Sequence, residues 1–216
     1  MAVAQRHPEI ILRRGWSIAA HGIQTQGTLM RKLRISLAAA LAAVTALAVA
    51  SPAMADVSPN WTLESASGET IELQRQVSER PQVVLFWATW CPFCKALMPH
   101  LQSIKFEHGD DIDILAVSIR EDGDPVAYLN DNGMNFIALP DGDEVAALYE
   151  IRGTPGVLII DGDREIRFDL RDVQARARAV VTEAQGENRR GRAAGVSPYL
   201  AAEIRKSLTE VLNDSP

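Results

Sequence analysis

Runs of apolar residues separated by polar turns predict alternating strands and helices between residues 61 and 170. Residues 83–87 and 112–119 form the two strongest runs, and their β-branched and aromatic side chains are typical of strands buried on both faces. Between them, from Pro92 to near Gly109, apolar residues recur at helical spacing, and proline is favoured at the first helical position. This order of strand, helix and strand predicts right-handed crossovers and a mostly parallel core sheet.

Shorter segments on either side complete the predicted α/β fold. Residues 61–76 predict two edge strands around a turn at Ser67 and Gly68, because polar and apolar residues alternate there. Beyond the second core strand, the pattern predicts a helix at 125–132, a strand at 136–139, a helix at 144–149, and a closing antiparallel hairpin of 156–161 and 165–170.

The pattern changes after residue 172, and residues 173–216 are predicted to form a C-terminal helical extension. A helix is predicted at 173–184, followed by a polar, glycine-punctuated linker at 186–192. Residues 198–212 then predict an amphipathic helix, because apolar residues recur there every three or four positions. We expect this helix to pack on the preceding domain, and binding to a partner is the alternative.

Residues 30–55 have the layout of a secretory signal peptide, with a basic start, an uncharged run of 16 mainly Ala and Leu residues, and a final Ala-x-Ala. We expect cleavage after Ala55 and export to the periplasm. Because roughly 20 apolar residues span a bilayer, an uncleaved membrane anchor is the alternative. Residues 1–29 show no sustained period and are predicted to be an unstructured extension upstream of the true start at Met30.

Charge argues against one class of partner. Without residues 1–55 the chain holds 16 basic and 27 acidic residues, a formal charge of −11. A surface of that sign repels phosphate, so we expect no nucleic acid partner.

The chain has two cysteines, Cys91 and Cys94, and their spacing indicates chemistry rather than structure. A disulfide between them closes too short a loop to stabilise a fold, since stabilisation grows with loop length. A zinc site needs about four ligands, and the predicted mature chain adds only His100 and His108. We therefore expect neither a metal nor a cofactor.

The predicted location of the pair, where a buried strand gives way to a helix, favours thiol-disulfide exchange. The free N–H groups and the positive dipole end of a helix N-terminus stabilise a thiolate. Cys91 is therefore the predicted nucleophile, and Cys94, one turn deeper, the predicted resolving thiol. Pro92 and Phe93, between the two cysteines, are candidates for shielding the sulfur and contacting substrate.

A second candidate element, Thr154-Pro155, directly precedes the predicted strand at residue 156. Proline cannot donate to a strand ladder, and a cis bond before it would mark a tight turn. An ordinary loop proline is the alternative.

These motifs together resemble the TlpA/ResA-like branch of the thioredoxin superfamily. The resemblance rests on Val83-Val84-Leu85-Phe86-Trp87-Ala88-Thr89-Trp90-Cys91-Pro92-Phe93-Cys94-Lys95, on Met98-Pro99, and on Gly153-Thr154-Pro155 before an apolar strand that ends in Asp161-Gly162. It implies a thioredoxin-like mixed sheet flanked by helices over residues 56–172, with a helix-strand-helix insertion between 122 and 149.

The resemblance also implies roles and partners. Trp90 would line the site, Pro155 would be a cis proline facing the disulfide, and Thr154 would offer backbone hydrogen bonds to a bound peptide. Members of this branch are typically exported, and often act as protein disulfide reductants in cytochrome c assembly or other dedicated thiol pathways. The implied partners are a cysteine-containing substrate protein and an upstream thiol electron donor.

This sequence departs from the family pattern at the acid that assists the second cysteine. Thioredoxins usually place an acid six residues before the first cysteine, and this chain has Leu85 there. Some ResA-like proteins place a glutamate three residues after the second cysteine, where this chain has Leu97. Another group or water must then handle the proton on Cys94, and Glu121 is the candidate.

Two other functions remain as alternatives. Paired thiolates on a thioredoxin fold can carry copper(I), although such carriers usually add a distant histidine that the predicted mature chain lacks outside its first long helix. A peroxidase is the third interpretation, and it lacks support because no separate peroxidatic cysteine is present.

Overall fold

The computed structural model describes residues 57–182 and 189–214. Contacts divide the chain into two units, Met1–Ala53 and Met54–Pro216. The predicted N-terminal extension and signal peptide, residues 1–55, lie outside the described residues, as do residues 186–188 of the predicted linker.

Seven strands and six α-helices follow one another in the part of the chain that the structure describes. In order they are β1 (Thr62–Glu64), β2 (Thr70–Glu72), α1 (Leu73–Glu79), β3 (Gln82–Trp87), α2 (Pro92–His108), a 3₁₀ turn (Gly109–Asp111), β4 (Asp113–Ser118), α3 (Pro125–Asp131), β5 (Ile137–Leu139), α4 (Asp143–Leu148), β6 (Gly156–Ile160), β7 (Ile166–Asp169), α5 (Leu170–Thr182) and α6 (Arg189–Asp214).

The larger sheet has the strand order β5-β4-β3-β6-β7, and β1 and β2 form a separate antiparallel pair. β4 is parallel to both β3 and β5, whereas β6 is antiparallel to both β3 and β7. The predicted mixed sheet flanked by helices is confirmed. The parallel core of β5, β4 and β3 is found, and β6 departs from it because it adds to the free edge of β3 in the opposite direction.

The larger sheet has an apolar layer on each face, and β3 contributes to both. Leu85 and Trp87 lie in the layer that contains apolar residues of α2, α5 and α6. Val84 and Phe86 lie in the layer that contains apolar residues of α1 and α4. Because successive strand residues point to opposite faces, an unbroken apolar run is required here, as the sequence of β3 predicts.

The first helix is a correction to the sequence prediction. Residues 61–76 were expected to contain strands alone, but the chain turns into α1 at Leu73. Leu73, Gln76 and Val77 are buried at helical spacing, so α1 packs one face on the sheet. The preceding alternation of polar and apolar residues continues through Leu73 and hides this boundary.

The last helix is longer than predicted. α6 begins at Arg189, so residues 189–192 of the expected linker are helical. Ala193 and Val196 are buried there, and packing stabilises a turn whose glycines and Pro198 favour other structure. Further along, buried Leu200, Ile204, Leu208 and Val211 join the layer that contains α2.

The predicted packing of the C-terminal helix on the domain is therefore found. Full burial of one aliphatic side chain stabilises a fold by about 1.5–3 kcal/mol. The four buried side chains of α6 therefore contribute strongly to the stability of this layer. Arg205 on α6 also donates two hydrogen bonds to the Glu107 carboxylate on α2, at 2.7 and 2.8 Å.

No helix in residues 57–182 or 189–214 is both long and apolar enough to cross a membrane.

Candidate active site

The two cysteines lie where β3 ends and α2 begins. Cys91 is the N-cap of α2, with φ −84° and ψ 108°, and Pro92 takes the first helical position. The Cys91 sulfur accepts a hydrogen bond from the backbone N–H of Cys94 at 3.2 Å. This is the bond that an N-cap side chain makes to the first turn, and here the acceptor is the predicted nucleophile.

Both side chains are free thiols and both are covered. Cys91 is 2% exposed and Cys94 is fully buried. They belong to the same apolar layer as Leu85 and Leu97, the two positions where the family pattern has acids. The two thiols therefore share an apolar layer at the positions where the family pattern has acids.

The surroundings lower the pKa of Cys91 to about 6. The main cause is the hydrogen bond from the Cys94 thiol; burial opposes it, and the Thr154 side chain and the N–H groups of Cys94 and Phe93 add to the lowering. At pH 7 about nine-tenths of Cys91 is then thiolate. Cys91 is thus prepared to attack a disulfide without a separate base.

The pKa of Cys94 is shifted in the opposite direction. Burial raises it most, followed by the hydrogen bond to Cys91 and the charge of that neighbour. Cys94 therefore keeps its proton while Cys91 is a thiolate. The pair consists of one ionised nucleophile and one protonated donor.

The Thr154–Pro155 element lies beside the dithiol. Gly156 pairs with Phe86 in the β3–β6 register, which brings the residue before β6 to the end of β3. The Thr154–Pro155 peptide bond is cis, as the resemblance implies, and Pro155 is buried. The Thr154 side chain acts to lower the pKa of both thiols.

The remaining predicted substrate residues border Cys91. Trp90 is 43% exposed, and its indole N–H donates to the Arg120 carbonyl at 2.8 Å, which fixes the ring at the surface. Phe93 and Pro92 are half-buried, and Phe93 packs against the apolar layer below. The structure thus brings together all seven residues that the sequence singled out.

The loop between β4 and α3 holds the turn before the dithiol. Glu121 accepts hydrogen bonds from the backbone N–H of Thr89 at 2.8 Å, from the Thr89 hydroxyl, and from the N–H groups of Asp122 and Gly123 at 3.0 Å each. Burial acts to raise the pKa of Glu121, but these hydrogen bonds outweigh it and the pKa lies below its usual value.

Glu121 therefore stays ionised, and its carboxylate already accepts hydrogen bonds from Thr89. It is for this reason a poor acceptor for the Cys94 proton. Its neighbour Arg120, which the sequence did not single out, has φ +48° and donates from its guanidinium to the Arg152 carbonyl at 3.1 Å. This loop links the turn before Cys91 to the segment before Pro155.

Tyr128 on α3 is the second residue that sequence reasoning missed. Its ring lies 5.5 Å from the ring of Trp87, and the Lys95 ammonium lies 5.0 Å from its centroid. Burial raises the pKa of Tyr128, and the charge of Cys94 raises it further, so α3 reaches the inner thiol. The sequence carries no motif that marks this tyrosine.

A metal role for the dithiol gains no support. Among the described residues, no group of three or more His, Cys, Asp or Glu side chains could hold a metal ion. Nothing there favours the copper-carrying alternative.

Known proteins resemble this chain in sequence over the same region. Thiol-disulfide oxidoreductase ResA from Halalkalibacterium halodurans is 34% identical over 110 residues, which cover 50% of this chain and 62% of the relative. Thiol:disulfide interchange protein DsbE from Yersinia pestis is 31% identical over 123 residues, which cover 53% of this chain and 64% of the relative. The chain spans less than two thirds of the length of each of these relatives.

The fold is shared with a solved structure as well. A thiol:disulfide interchange protein of the thioredoxin family from Chlorobium tepidum TLS superposes with a TM-score of 0.54 over 75% of this chain and 99% of that chain, at 14% identity. The AhpC/TSA family description matches residues 54–169, more than half of the chain. The ResA-like resemblance is confirmed, and this chain belongs to the AhpC/TSA family, with a thioredoxin-like domain.

Proposed function

We propose that this protein is an exported thiol-disulfide oxidoreductase that reduces disulfides in other proteins through Cys91 and Cys94. One observation carries the proposal: a Cys91 thiol of pKa about 6 caps α2 directly above a buried Cys94 whose pKa is raised. The names of the relatives, ResA and DsbE, support the same activity.

In the first step the Cys91 thiolate attacks one sulfur of the substrate disulfide. A bond forms between Cys91 and that sulfur, the substrate S–S bond breaks, and the second substrate sulfur leaves as a thiolate that takes a proton from solvent. The N–H of Cys94, the N-terminal dipole of α2 and the Thr154 side chain stabilise the attacking charge.

In the second step Cys94 loses its proton and attacks the Cys91 sulfur. The Cys91–Cys94 disulfide forms, the bond from Cys91 to the first substrate sulfur breaks, and that sulfur leaves as a thiolate that takes a proton, so the substrate gains two electrons and two protons in total. An upstream thiol donor then returns two electrons and two protons to the Cys91–Cys94 pair, which closes the cycle.

Substrate recognition is assigned to the rim of Cys91. The exposed face of Trp90, with Pro92 and Phe93, offers an apolar surface, and Thr154 and Pro155 offer backbone to an extended peptide. Exposed aromatic surface of this kind is enriched where proteins bind one another.

The pKa of Cys91 supports the reducing direction. Thioredoxin, with a pKa near 7, has a potential of about −270 mV, and DsbA, with a pKa near 3.5, has about −120 mV. A pKa of about 6 stabilises the reduced form only slightly more than in thioredoxin. We expect a potential closer to that of thioredoxin than to that of DsbA, which is that of a reductant.

Export rests on the signal-like residues 30–55. Together with the resemblance to cytochrome c assembly reductants, these residues support a substrate and a thiol donor on the periplasmic side. Mass analysis of the full chain expressed in a bacterium with a periplasm tests this. A periplasmic product that begins at Asp56 is expected; a cytoplasmic product that retains residues 30–55 would contradict export.

Activity is tested by trapping. Cys94→Ser, expressed as the full chain and purified without reductant, is expected to carry substrate proteins joined to Cys91 through disulfides, because the resolving step is lost. The double variant Cys91→Ser/Cys94→Ser is the matched control and should carry none. Absence of reducible adducts on Cys94→Ser, with a wild-type potential above about −150 mV, would overturn the proposal.

A further inference from the structure

Two buried polar side-chain atoms at the ends of β3 and β4 have no hydrogen-bond partner among the described residues. The indole N–H of Trp87 and the hydroxyl of Ser118 form no hydrogen bond within the described residues, and the two side chains are 0% and 2% exposed. Buried polar groups nearly always have a partner, because leaving one unpaired costs about 1–3 kcal/mol. Two in one place therefore call for an explanation.

The sheet puts these atoms together. Trp87 and Ser118 are the last residues of β3 and β4, and they are direct partners in the parallel register. Paired residues of parallel strands point to the same face. Trp87 lies in the layer that contains Cys91 and Cys94, and Ser118 points to that layer because Ala116, two residues earlier, does.

The groups that face Cys94 leave its proton without an obvious acceptor. Cys91 and Tyr128 are the titratable groups whose interactions with Cys94 shift a pKa, and Lys95 lies over the Tyr128 ring. Glu121 is occupied by Thr89. The Ala88 backbone and the Thr154 side chain act to lower the pKa of Cys94, and Leu85 and Leu97 in the same layer are hydrocarbon.

We propose that Trp87 and Ser118 together bind one buried water molecule next to Cys94, and that this water stabilises the Cys94 thiolate in the resolving step. The inference rests on the proposed function, whose second step it deepens. A buried water needs two to four polar partners, and the indole N–H, the serine hydroxyl and the Cys94 sulfur supply three. Neither the indole N–H nor the serine hydroxyl forms a hydrogen bond to the Cys94 sulfur, so the proposed water would bridge them to it.

The proton balance is simple. In the resting state the Cys94 thiol donates its hydrogen bond to Cys91, and the water donates one to the Cys94 sulfur after the proton has left for solvent. The thiolate electron pair then forms the bond to Cys91, the bond from Cys91 to the substrate sulfur breaks, and that sulfur leaves with its electron pair. Trp87 and Ser118 are positioning residues, because they act on Cys94 through the water.

A chromogenic aromatic disulfide separates the two steps. The Cys91 thiolate releases one equivalent of coloured thiolate, and attack by Cys94 on the resulting mixed disulfide releases the second. We expect Ser118→Ala to leave the first release unchanged and to raise the pH midpoint of the second by about one unit. Tenfold less thiolate, partly offset by its greater nucleophilicity, then slows the second release at pH 7 about threefold.

The matched control is Ser197→Ala. Ser197 is also buried, but its hydroxyl donates to the Ala193 carbonyl at 2.7 Å within α6. We expect this variant to keep the wild-type rate and pH midpoint for both releases. A shift equal to that of Ser118→Ala would assign the effect to loss of any buried hydroxyl and would overturn the inference.

Trp87→Phe removes the indole N–H and keeps an aromatic ring, so it gives a second test of the same water. It should also slow the second release, and the double variant Trp87→Phe/Ser118→Ala should be no slower than the worse single variant, because both residues hold one water. Additive effects would overturn the inference.

Two outcomes distinguish the failure of this inference from that of the proposed function. If Ser118→Ala unfolds at a higher temperature and releases the second equivalent as the wild type does, the hydroxyl is merely unpaired and the inference alone fails. If the wild type releases only the first equivalent, the resolving step does not occur, and the proposed function falls with it.

Discussion

The two ends of the Cys91–Cys94 turn have different surroundings. At the outer end, Cys91 meets N–H groups, the Thr154 side chain and the start of a helix dipole, and its pKa falls to about 6. At the inner end, Cys94 meets leucine, tryptophan and tyrosine side chains, and burial raises its pKa. One helical turn thus separates a thiolate that is stabilised from one that is opposed, and this difference supports the different roles proposed for the two thiols.

Replacing each thiol in turn tests the difference most severely. Cys91→Ser should lower reduction of insulin disulfides by at least about a thousandfold, because serine does not ionise at neutral pH. Cys94→Ser should keep the rate of the first attack in a single turnover and then stop. A Cys94→Ser protein that turned over like the wild type, or a Cys91→Ser protein that formed the first adduct, would reverse the assigned roles.

A carboxylate introduced into the apolar layer around Cys94 should be destabilising, and its cost should depend on pH. Leu85→Asp is expected to lower the free energy of unfolding by about 3 kcal/mol at pH 7, because the charge replaces buried hydrocarbon. Burial raises the pKa of the new carboxyl, so the loss should shrink as pH falls and the group becomes neutral. Urea unfolding of Leu85→Asp and of its uncharged control Leu85→Asn gives the comparison, and equal pH profiles would contradict the explanation.

The free energy of unfolding of the reduced protein should depend on pH through the ionisation of Cys91. The folded pKa of Cys91, about 6, lies below that of an unfolded thiol, so its contribution is full above the unfolded pKa and is lost as pH falls through 6. We expect the wild type to gain about 2 kcal/mol over Cys91→Ala between pH 6 and 8.5 in reducing buffer. Cys94 acts oppositely above that range, because the unfolded chain ionises first there.

Removing a single hydrogen bond at the outer end should have the smallest effect. Thr154→Val keeps the shape of the side chain and removes its bond to Cys91, so the pKa of Cys91 should rise by about half to one unit. Titration of the ultraviolet absorbance of the thiolate measures this. Thr62→Val, at an exposed position on β1, is the control and should titrate like the wild type.

The sequence predicts the outer end of this turn better than the inner end. Pro92 and the apolar periodicity after it mark the start of α2, so the position of Cys91 as its cap follows from local signals. The contacts of Cys94 come from residues far along the chain. Tyr128 reaches the layer of Cys94 through tertiary packing, and Glu121 accepts a hydrogen bond from Thr89, 32 positions away, which no local pattern encodes.

The mispredicted boundaries have the same origin. The glycines and proline at the start of α6 are locally unfavourable in a helix, and burial of Ala193 and Val196 against the domain overrides them. At α1, strand-like alternation continues through Leu73, but a helix there buries Gln76 and Val77 as well, and this burial stabilises the helix. In both places long-range packing outweighs the local preference that sequence reasoning uses.

The position of α6 has a consequence for biosynthesis. This helix supplies Leu200, Ile204 and Leu208 to the layer beneath the redox helix, and its 26 residues come at the end of the described chain. During synthesis the apolar side of α2 therefore stays uncovered until residues beyond 200 have been made. Cys91 and Cys94 are therefore made about a hundred residues before the side chains of α6 that complete their layer.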